Sequence, residues 1–504
     1  MMTARRTKSG PNAAWKAGWV AKGTANRNLG SPSPRAVSRG AHPFAEPNIA
    51  ALLDQREAAF SSRYLQLKTV LTNLAPRQFE VDFAQTAVSA LAAIDIEADP
   101  NWFVADWNSP LHMGDIHARC VTRLFASVAK ANPEQNLFER FDGARIEDLI
   151  ARWGFHAIDI TPCADGRLAG LLGAVLRVPP SIVTARRSYA GAMFNVASAV
   201  QSWEKVELQR LFAAKADQTD SRSRFLKIGA YHFSSGDPDH AGCAAHGSDD
   251  TAATNDLLKR LTQFREAIHA RYDAGDEVAL LLIGVDTDTD AIRVHVPDRN
   301  GDIDAARFVG STDLYSETLD QARDTAKETV RTRVAECAKV DADDTETRGM
   351  RWFCGYLLKN NLAQVDAVTQ KHGGPYPVKD HAEKLIVIGD PLDDVQQRNI
   401  SFQAQMNSVE EGSDDLSVGL SILGRICADQ QVSVPVLVLR RFDPLVPGDR
   451  EAAIRGAQRM ARAVNAATPV TPVAVEAAIR PESGGPLQFV TSKPKDTSPA
   501  EATQ

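Results

Sequence analysis

From about residue 155 onward, short apolar runs alternate with helical stretches, and this alternation restricts the fold more than any other feature of the chain. FHAIDI is a short β-branched run, while FLKIGAYHF and VALLLIGVD are almost continuously apolar. Stretches such as LAGLLGAVLR, read as a helix, lie between them. Strands of this kind are buried on both faces, so a parallel or mixed sheet with helices packed on it is expected. After about residue 385 the same grammar restarts with KLIVIGD and VPVLVLRRFD, in a second α/β unit that contains Cys427 but no Cys–His cluster.

Upstream, NIAALLDQREAAFSSRYLQLKTVLTNLA and LHMGDIHARCVTRLFASVAKA carry apolar residues at three- and four-residue spacing, the signature of amphipathic helices. A chain of 504 residues is too long for one ordinary core. Five segments are expected: a disordered basic stretch over 1–45, a helical domain over 46–140, an α/β domain over 141–385, the second α/β domain over 386–490, and a disordered polar tail over 491–504.

Composition sets the class. With 43% hydrophobic and 24% charged residues, the chain reads as globular. It has no apolar run of the roughly eighteen residues needed to span a membrane, and no secretory signal. Its net charge of −7 argues against general nucleic-acid binding. That total hides an asymmetry, because residues 1–45 hold eight Lys or Arg and no Asp or Glu. This stretch is rich in Gly, Pro, Ser and Asn, with almost no aliphatic residues to bury, so it should not fold alone. Trp15 and Trp19 stand among its lysines as anchors for a partner surface. A mitochondrial transit peptide is also Arg-rich and acid-poor, but the prolines argue against one.

The six cysteines (120, 163, 243, 337, 354 and 427) follow no disulfide framework and suit a reducing cytosol. Two of them fall where ligand sites form in open α/β sheets, at the carboxyl ends of strands. Cys163 follows the first strand within TPCADGR, and Tyr231-His232-Phe233 ends the second. SSGDPDHAGCAAHGSDD then brings Cys243 together with Asp237, His240 and His246. Two thiolates and one imidazole match the preference of Zn²⁺, and three protein ligands leave a fourth position open, as in catalytic sites. Spacing favours His240, which gives H-x-x-C, whereas position at a strand end favours His232.

Other signals fail on inspection. DTDTDAIRVHVPD begins like a calcium loop at Asp286, Asp288 and Asp290, but Ala291 and Pro297 stand where Gly and Glu are required, so a turn after a strand is expected. No Gly-rich phosphate motif occurs. PCAD lacks the other half of a zinc deaminase signature. Asp159 inside FHAIDI reads as a buried structural carboxylate.

Four blocks, CADGRLAGLL, YHFSSGDPDHAGCAAHGSDD, LLIGVDTDTDAIRVHVPD and HGGPYP, together resemble the shell-associated carbonic anhydrases of α-carboxysomes, a divergent β-class group formerly called the epsilon class. The resemblance spans nearly the whole chain. It implies an α+β multidomain protein: an N-terminal helical domain, a β-carbonic-anhydrase-like α/β zinc domain, and a C-terminal degenerate α/β copy without a metal site. It implies one Zn²⁺ per chain on Cys163, His232 and Cys243, with Asp165 and Arg167 as a catalytic dyad in which Arg167 keeps Asp165 ionised. His240, His246 and His381 are candidates for a proton relay. The implied reaction interconverts CO₂ and bicarbonate inside a carboxysome of the bacterial cytoplasm, at the inner face of the shell, supplying CO₂ to Rubisco. Rubisco or shell proteins are the expected partners of the N-terminal segment, and a homodimer or an oligomer of dimers is expected. Two rivals are an inactive scaffold stabilised by zinc and a hydrolase with Cys163 as nucleophile.

Overall fold

The computed structural model describes residues 41–104, 111–130, 146–168, 170–178, 183, 185–214, 223–239, 241–376, 383–390, 400–405, 409–468 and 471–490. Residues 1–40 of the segment expected over 1–45 lie outside these residues, as do the tail expected at 491–504, His240 and His381. Among the described residues two sheets form, and each apolar run noted above becomes a strand.

The first sheet contains β1 (Phe155–Pro162), β2 (Ala185–Arg186), β3 (Arg224–Phe233), β4 (Val278–Asp286), β5 (Ile292–His295) and β6 (Val309–Gly310). Its order is β2-β1-β3-β4-β5-β6, parallel through the first four and antiparallel at β5 and β6. Every residue of β4 is buried, which accounts for its unbroken apolar sequence. Asp159 and Lys227 are neighbours in the β1–β3 register and pair at 2.6 Å, with Thr161 Oγ1 accepting from the same ammonium at 2.8 Å. Asp159 is thus a structural carboxylate. The stretch read as a helix after CADGR is instead a 3₁₀ turn at Gly166–Leu168 and a π-helical turn at Leu171–Leu176, closed by Arg177 at φ 48°. Arg177 is buried there and donates to Gln364 at 3.1 Å, so tertiary contacts override the local helical propensity.

The second sheet contains β7 (Leu385–Gly389), β8 (Ser401–Gln405), β9 (Val434–Phe442), β10 (Val473–Pro481) and β11 (Gln488–Phe489). Its order is β8-β7-β9-β10-β11, parallel except for the last strand. Renumbered from its own first strand, this is the 2-1-3-4-5 arrangement that begins the first sheet.

The helices are α1 (Pro47–Leu74), α2 (Phe83–Ala92), α3 (Met113–Lys130), α4 (Ile146–Arg152), α5 (Val196–Ala214), α6 (Asp250–Tyr272), α7 (Ser311–Thr318), α8 (Arg323–Ala338), α9 (Arg348–His372), α10 (Val409–Gln430) and α11 (Asp449–Ala467). The first three do not form the separate helical domain expected over 46–140. Leu67 and Leu71 of α1 and Cys120, Leu124 and Val128 of α3 share one core with Leu385, Val387, Leu437, Leu439 and Ala478 of the second sheet. The alternate residues Ile386, Ile388, Val436 and Val438 face α10 and α11 on the other side. Period-two burial gives that sheet two apolar faces, and the N-terminal helices, with no sheet of their own, cover one of them. Buried Glu476 on β10 fastens this layer, pairing with Arg119 and with Arg123 at 3.0 Å.

The boundary drawn at residue 45 is also late. His42 and Phe44 are buried: His42 Nε2 lies 2.9 Å from Thr318 Oγ1, and Phe44 joins the core of the first sheet.

Candidate metal centre

Cys163 leaves β1 with its amide donating to Ala230 O on β3 at 3.0 Å, and His232 lies two residues further along β3. Cys243 arrives on the loop between β3 and α6, pinned by acids that sequence reasoning had set aside. Asp286 accepts from Ser235 N (3.1 Å) and Ser235 Oγ (2.7 Å), and Asp288 accepts from Ser234 Oγ and Gly236 N, both at 2.7 Å. The HGGPYP block closes onto the same turn, with Tyr376 N donating to Asp288 O at 2.7 Å. The expected turn after β4 is therefore a clamp for the cysteine-bearing loop. Its carboxylates are occupied by donors, which disfavours a cation there.

These elements bring one donor atom each from Cys163, His232 and Cys243 within 4.8 Å of one another, and all three residues are buried. The donors fit a soft divalent metal: two sulfurs, one imidazole and, at His232 Nδ1, a buried nitrogen with no hydrogen-bond partner. Cys163 is pushed well above the usual thiol range, first by its hydrogen bond to Cys243 and then by burial, while the same bond pulls Cys243 down.

Asp165 and Arg167 stand beside this cluster. Arg167 Nε donates to Asp165 Oδ1 at 2.8 Å and Nη2 to Oδ2 at 2.7 Å, a bidentate pair. Nη1 donates to Ala241 O at 2.8 Å and to Thr287 Oγ1 at 3.0 Å, so the guanidinium ties β1, the cysteine loop and the end of β4 together. Burial opposes ionisation of Asp165, yet Arg167 and then His232 hold its carboxyl well below the usual range. Asp165 Oδ2 lies 3.3 Å from His232 Nε2. His232 is likewise pulled down by burial, but Asp165 and Cys163 bring it to a net rise.

Sequence reasoning missed several contributors. Thr287 and the Ala241 carbonyl act through long-range contacts that no local motif announces. His246, considered only as a relay, points Nδ1 at Cys243 Sγ at 3.5 Å, with Nε2 3.7 Å from Asp256 Oδ2. With a side chain only 9% exposed, it is placed to act on the sulfur rather than to reach bulk water. Gly191 makes room for it, because a Cβ there would sit 2.5 Å from His246 Cε1.

The second sheet shows what stands at the matching positions. Asp390 N donates to Leu439 O at 3.0 Å, as Cys163 N does to Ala230 O, so Asp390 corresponds to Cys163 and Arg441 to His232. Asp390 Oδ2 accepts from Arg441 N at 2.6 Å and lies 3.5 Å from Arg440 Nε. A carboxylate paired with Arg440 stands in place of the thiol, and an arginine in place of the imidazole.

Two thiols and an imidazole at the carboxyl ends of parallel strands, beside an ionised carboxylate, define an α/β enzyme with a pocket suited to a soft metal. Comparison with known proteins narrows that class. Residues 145–381 match the family model described as Carboxysome Shell Carbonic Anhydrase, catalytic domain, and residues 382–471 match its C-terminal counterpart. The carboxysome shell carbonic anhydrase of Halothiobacillus neapolitanus (strain ATCC 23641 / c2) is 37% identical over 431 residues, covering 84% of each chain. Proteins of the same name from Prochlorococcus marinus (strain MIT 9313) and Parasynechococcus marenigrum (strain WH8102) are 36% and 35% identical, over 84% and 86% of this chain and 82% and 75% of theirs. The chain belongs to the carboxysome shell carbonic anhydrase family. Among the described residues, no helix is long and apolar enough to cross a membrane.

Proposed function

We propose that this chain is a zinc-dependent carbonic anhydrase of the carboxysome, with one Zn²⁺ held by Cys163, His232 and Cys243 and with Asp165 and Arg167 as the working pair. The observation that carries the reading is the buried Cys-His-Cys group beside a carboxylate held ionised. A zinc ion held by these donors would supply Lewis acidity, lowering the pKa of water in the pocket towards neutrality. Asp165 contributes an anionic acceptor. Arg167 Nη2 occupies one acceptor direction of Oδ2 and leaves another for the O–H of the attacking nucleophile, whose remaining lone pair is then turned towards the carbon of CO₂. Arg167 holds both oxygens of Asp165 and would thereby keep the carboxylate from becoming a further ligand of a bound metal. This ionised pair favours an enzyme over an inactive scaffold, because a purely structural zinc needs no poised carboxylate at its open position.

The matching strand orders support reading the C-terminal unit as a degenerate second copy of a β-carbonic-anhydrase-like fold, with Asp390 and Arg441 at two of the lost ligand positions. One metal per chain follows. CO₂ and bicarbonate are the substrates, and the product CO₂ would serve Rubisco. The basic segment over 1–40 is proposed as the attachment to Rubisco or the inner shell, and a homodimer as the minimal assembly. The site reading is tested by metal analysis and CO₂ hydration assays on Asp165→Asn. This variant should keep zinc and lose most turnover, and retention of full turnover would remove the dyad from the mechanism.

A further inference from the structure

The turn that carries Asp165 is seated on the C-terminal unit. Ala164 is part of the hydrophobic core between the second sheet and its helices. Gly166 is pressed against the edge of that sheet: a Cβ there would sit 2.8 Å from Glu383 Cγ and 2.8 Å from Ser401 O. Gly166 N donates to Glu383 Oε1 at 3.2 Å. Nearby, Ala190 N donates to Asp415 Oδ1 at 2.6 Å, a second backbone amide of the catalytic unit received by a C-terminal carboxylate. Glu383 precedes β7, and the next residue is anchored to the strand neighbour, with Lys384 N donating to Ile400 O at 2.7 Å. The carboxyl group that meets Gly166 therefore projects from a fixed backbone.

We infer that Glu383 is a positioning residue for carbonic anhydrase catalysis: its carboxyl oxygen receives the Gly166 amide and thereby fixes the direction of Asp165. The inference rests on the dyad reading given above. Asp165 Oδ1 already receives Arg167 N at 2.9 Å, so the amides on both sides of the 166–167 peptide are held, one by Asp165 and one by Glu383. Without the second bond the turn can pivot, and the bidentate pair pivots with it. Arg167 gives Nε and Nη2 to Asp165 and Nη1 to Ala241 O and Thr287 Oγ1. Burial, and then the charge of Asp165, push the Glu383 carboxyl up from its ordinary range. A glutamine presents an acceptor oxygen at the same reach, so the two should be interchangeable. The degenerate copy would thus set the aim of the active site in its neighbour without holding a metal.

The test compares Glu383→Gln, Glu383→Ala and Asp165→Asn in the full-length chain by stopped-flow CO₂ hydration and metal analysis. Glu383→Gln should stay within about twofold of wild type, and Glu383→Ala should lose roughly tenfold or more in kcat at similar KM and equal zinc content, as expected for a misaimed group. In an Asp165→Asn background, Glu383→Ala should cost nothing further, because the group it aims is already disabled. Independent, multiplying losses would mark a merely structural role and overturn the inference. So would a silent Glu383→Ala, or a Glu383→Gln as impaired as the alanine variant. Should the alanine variant be insoluble, Glu383→Asp carries the same test: it is too short to reach Gly166 N and should lose activity where Gln does not. Full turnover in Asp165→Asn would overturn the dyad and this inference together. A silent Glu383→Ala beside an impaired Asp165→Asn would overturn this inference alone.

Discussion

Replacing Arg167 with alanine removes the group on which the charge of Asp165 depends. Four donated bonds disappear: two to Asp165, one to Ala241 O and one to Thr287 Oγ1. Asp165, with a side chain 11% exposed, is left without its cationic partner. Keeping it ionised there would cost about 3–5 kcal/mol, the usual penalty for breaking a buried pair from one side. The carboxyl escapes part of that cost by taking up a proton, so its pKa moves from below the ordinary range to above it. The sign of the pH dependence therefore reverses. In the wild type the depressed pKa contributes stability above the unfolded value of about 3.9, which is lost as pH falls through the folded value. In Arg167→Ala the raised pKa contributes at low pH, and that contribution is lost as pH rises through the folded value. Melting temperatures of the two proteins should diverge steadily from about pH 4 towards neutrality. Stopped-flow CO₂ hydration at neutral pH should fall by roughly 10²–10³, the scale for removing one preorganised electrostatic contributor. Arg167→Lys should recover part of the stability and little of the rate, since an ammonium cannot span both carboxylate oxygens. Parallel melting curves together with wild-type turnover in Arg167→Ala would refute the reasoning.

Other outcomes follow from the same geometry. Cys163→Ser, His232→Ala and Cys243→Ser should each lose zinc and activity together, measured as metal content per chain; His240→Ala should retain the metal. Gly191→Ala forces a side chain at φ 60° against His246, pushing it away from Cys243, and should weaken zinc affinity by about 10–100-fold in chelator competition. Asp390→Ala should leave zinc content and turnover unchanged while lowering stability by about 1–2 kcal/mol in a denaturant melt, because its bond to Arg441 N braces only the second sheet. Deleting residues 1–40 should leave turnover unchanged and abolish packaging into carboxysomes; deleting through 45 should also destabilise the catalytic unit, since His42 and Phe44 are buried in it.

The strands were legible because burial on both faces leaves an unbroken apolar record, and β1, β3, β4, β7 and β9 all fall on runs read from the sequence. The pocket was legible in part. Cys163 and His232 lie at strand ends where such a sheet gathers its ligands, and the structure brings them to Cys243. The nearness of Asp165 and Arg167 was legible in the chain, and their pairing was implied only by the family resemblance. What escaped depends on distance along it. The helices over 47–130 gave a correct period but no sign of the face they would cover, and they pack on strands about 300 residues later. Glu383 lies 217 residues from the amide it receives. Leu171–Leu176 forms a π turn because its surroundings, including buried Arg177, outweigh a sequence that favours an ordinary helix.

The central claim is that one Zn²⁺ held by Cys163, His232 and Cys243 carries the reaction, and metal content measured on the same samples as CO₂ hydration tests it most directly. Purified under reducing conditions, the chain is expected to hold close to one zinc, to lose activity in proportion as chelators strip the metal, and to regain it when zinc is restored. A metal-free chain that hydrates CO₂ at the wild-type rate, or a Cys163→Ser variant that keeps both its zinc and its turnover, would contradict it.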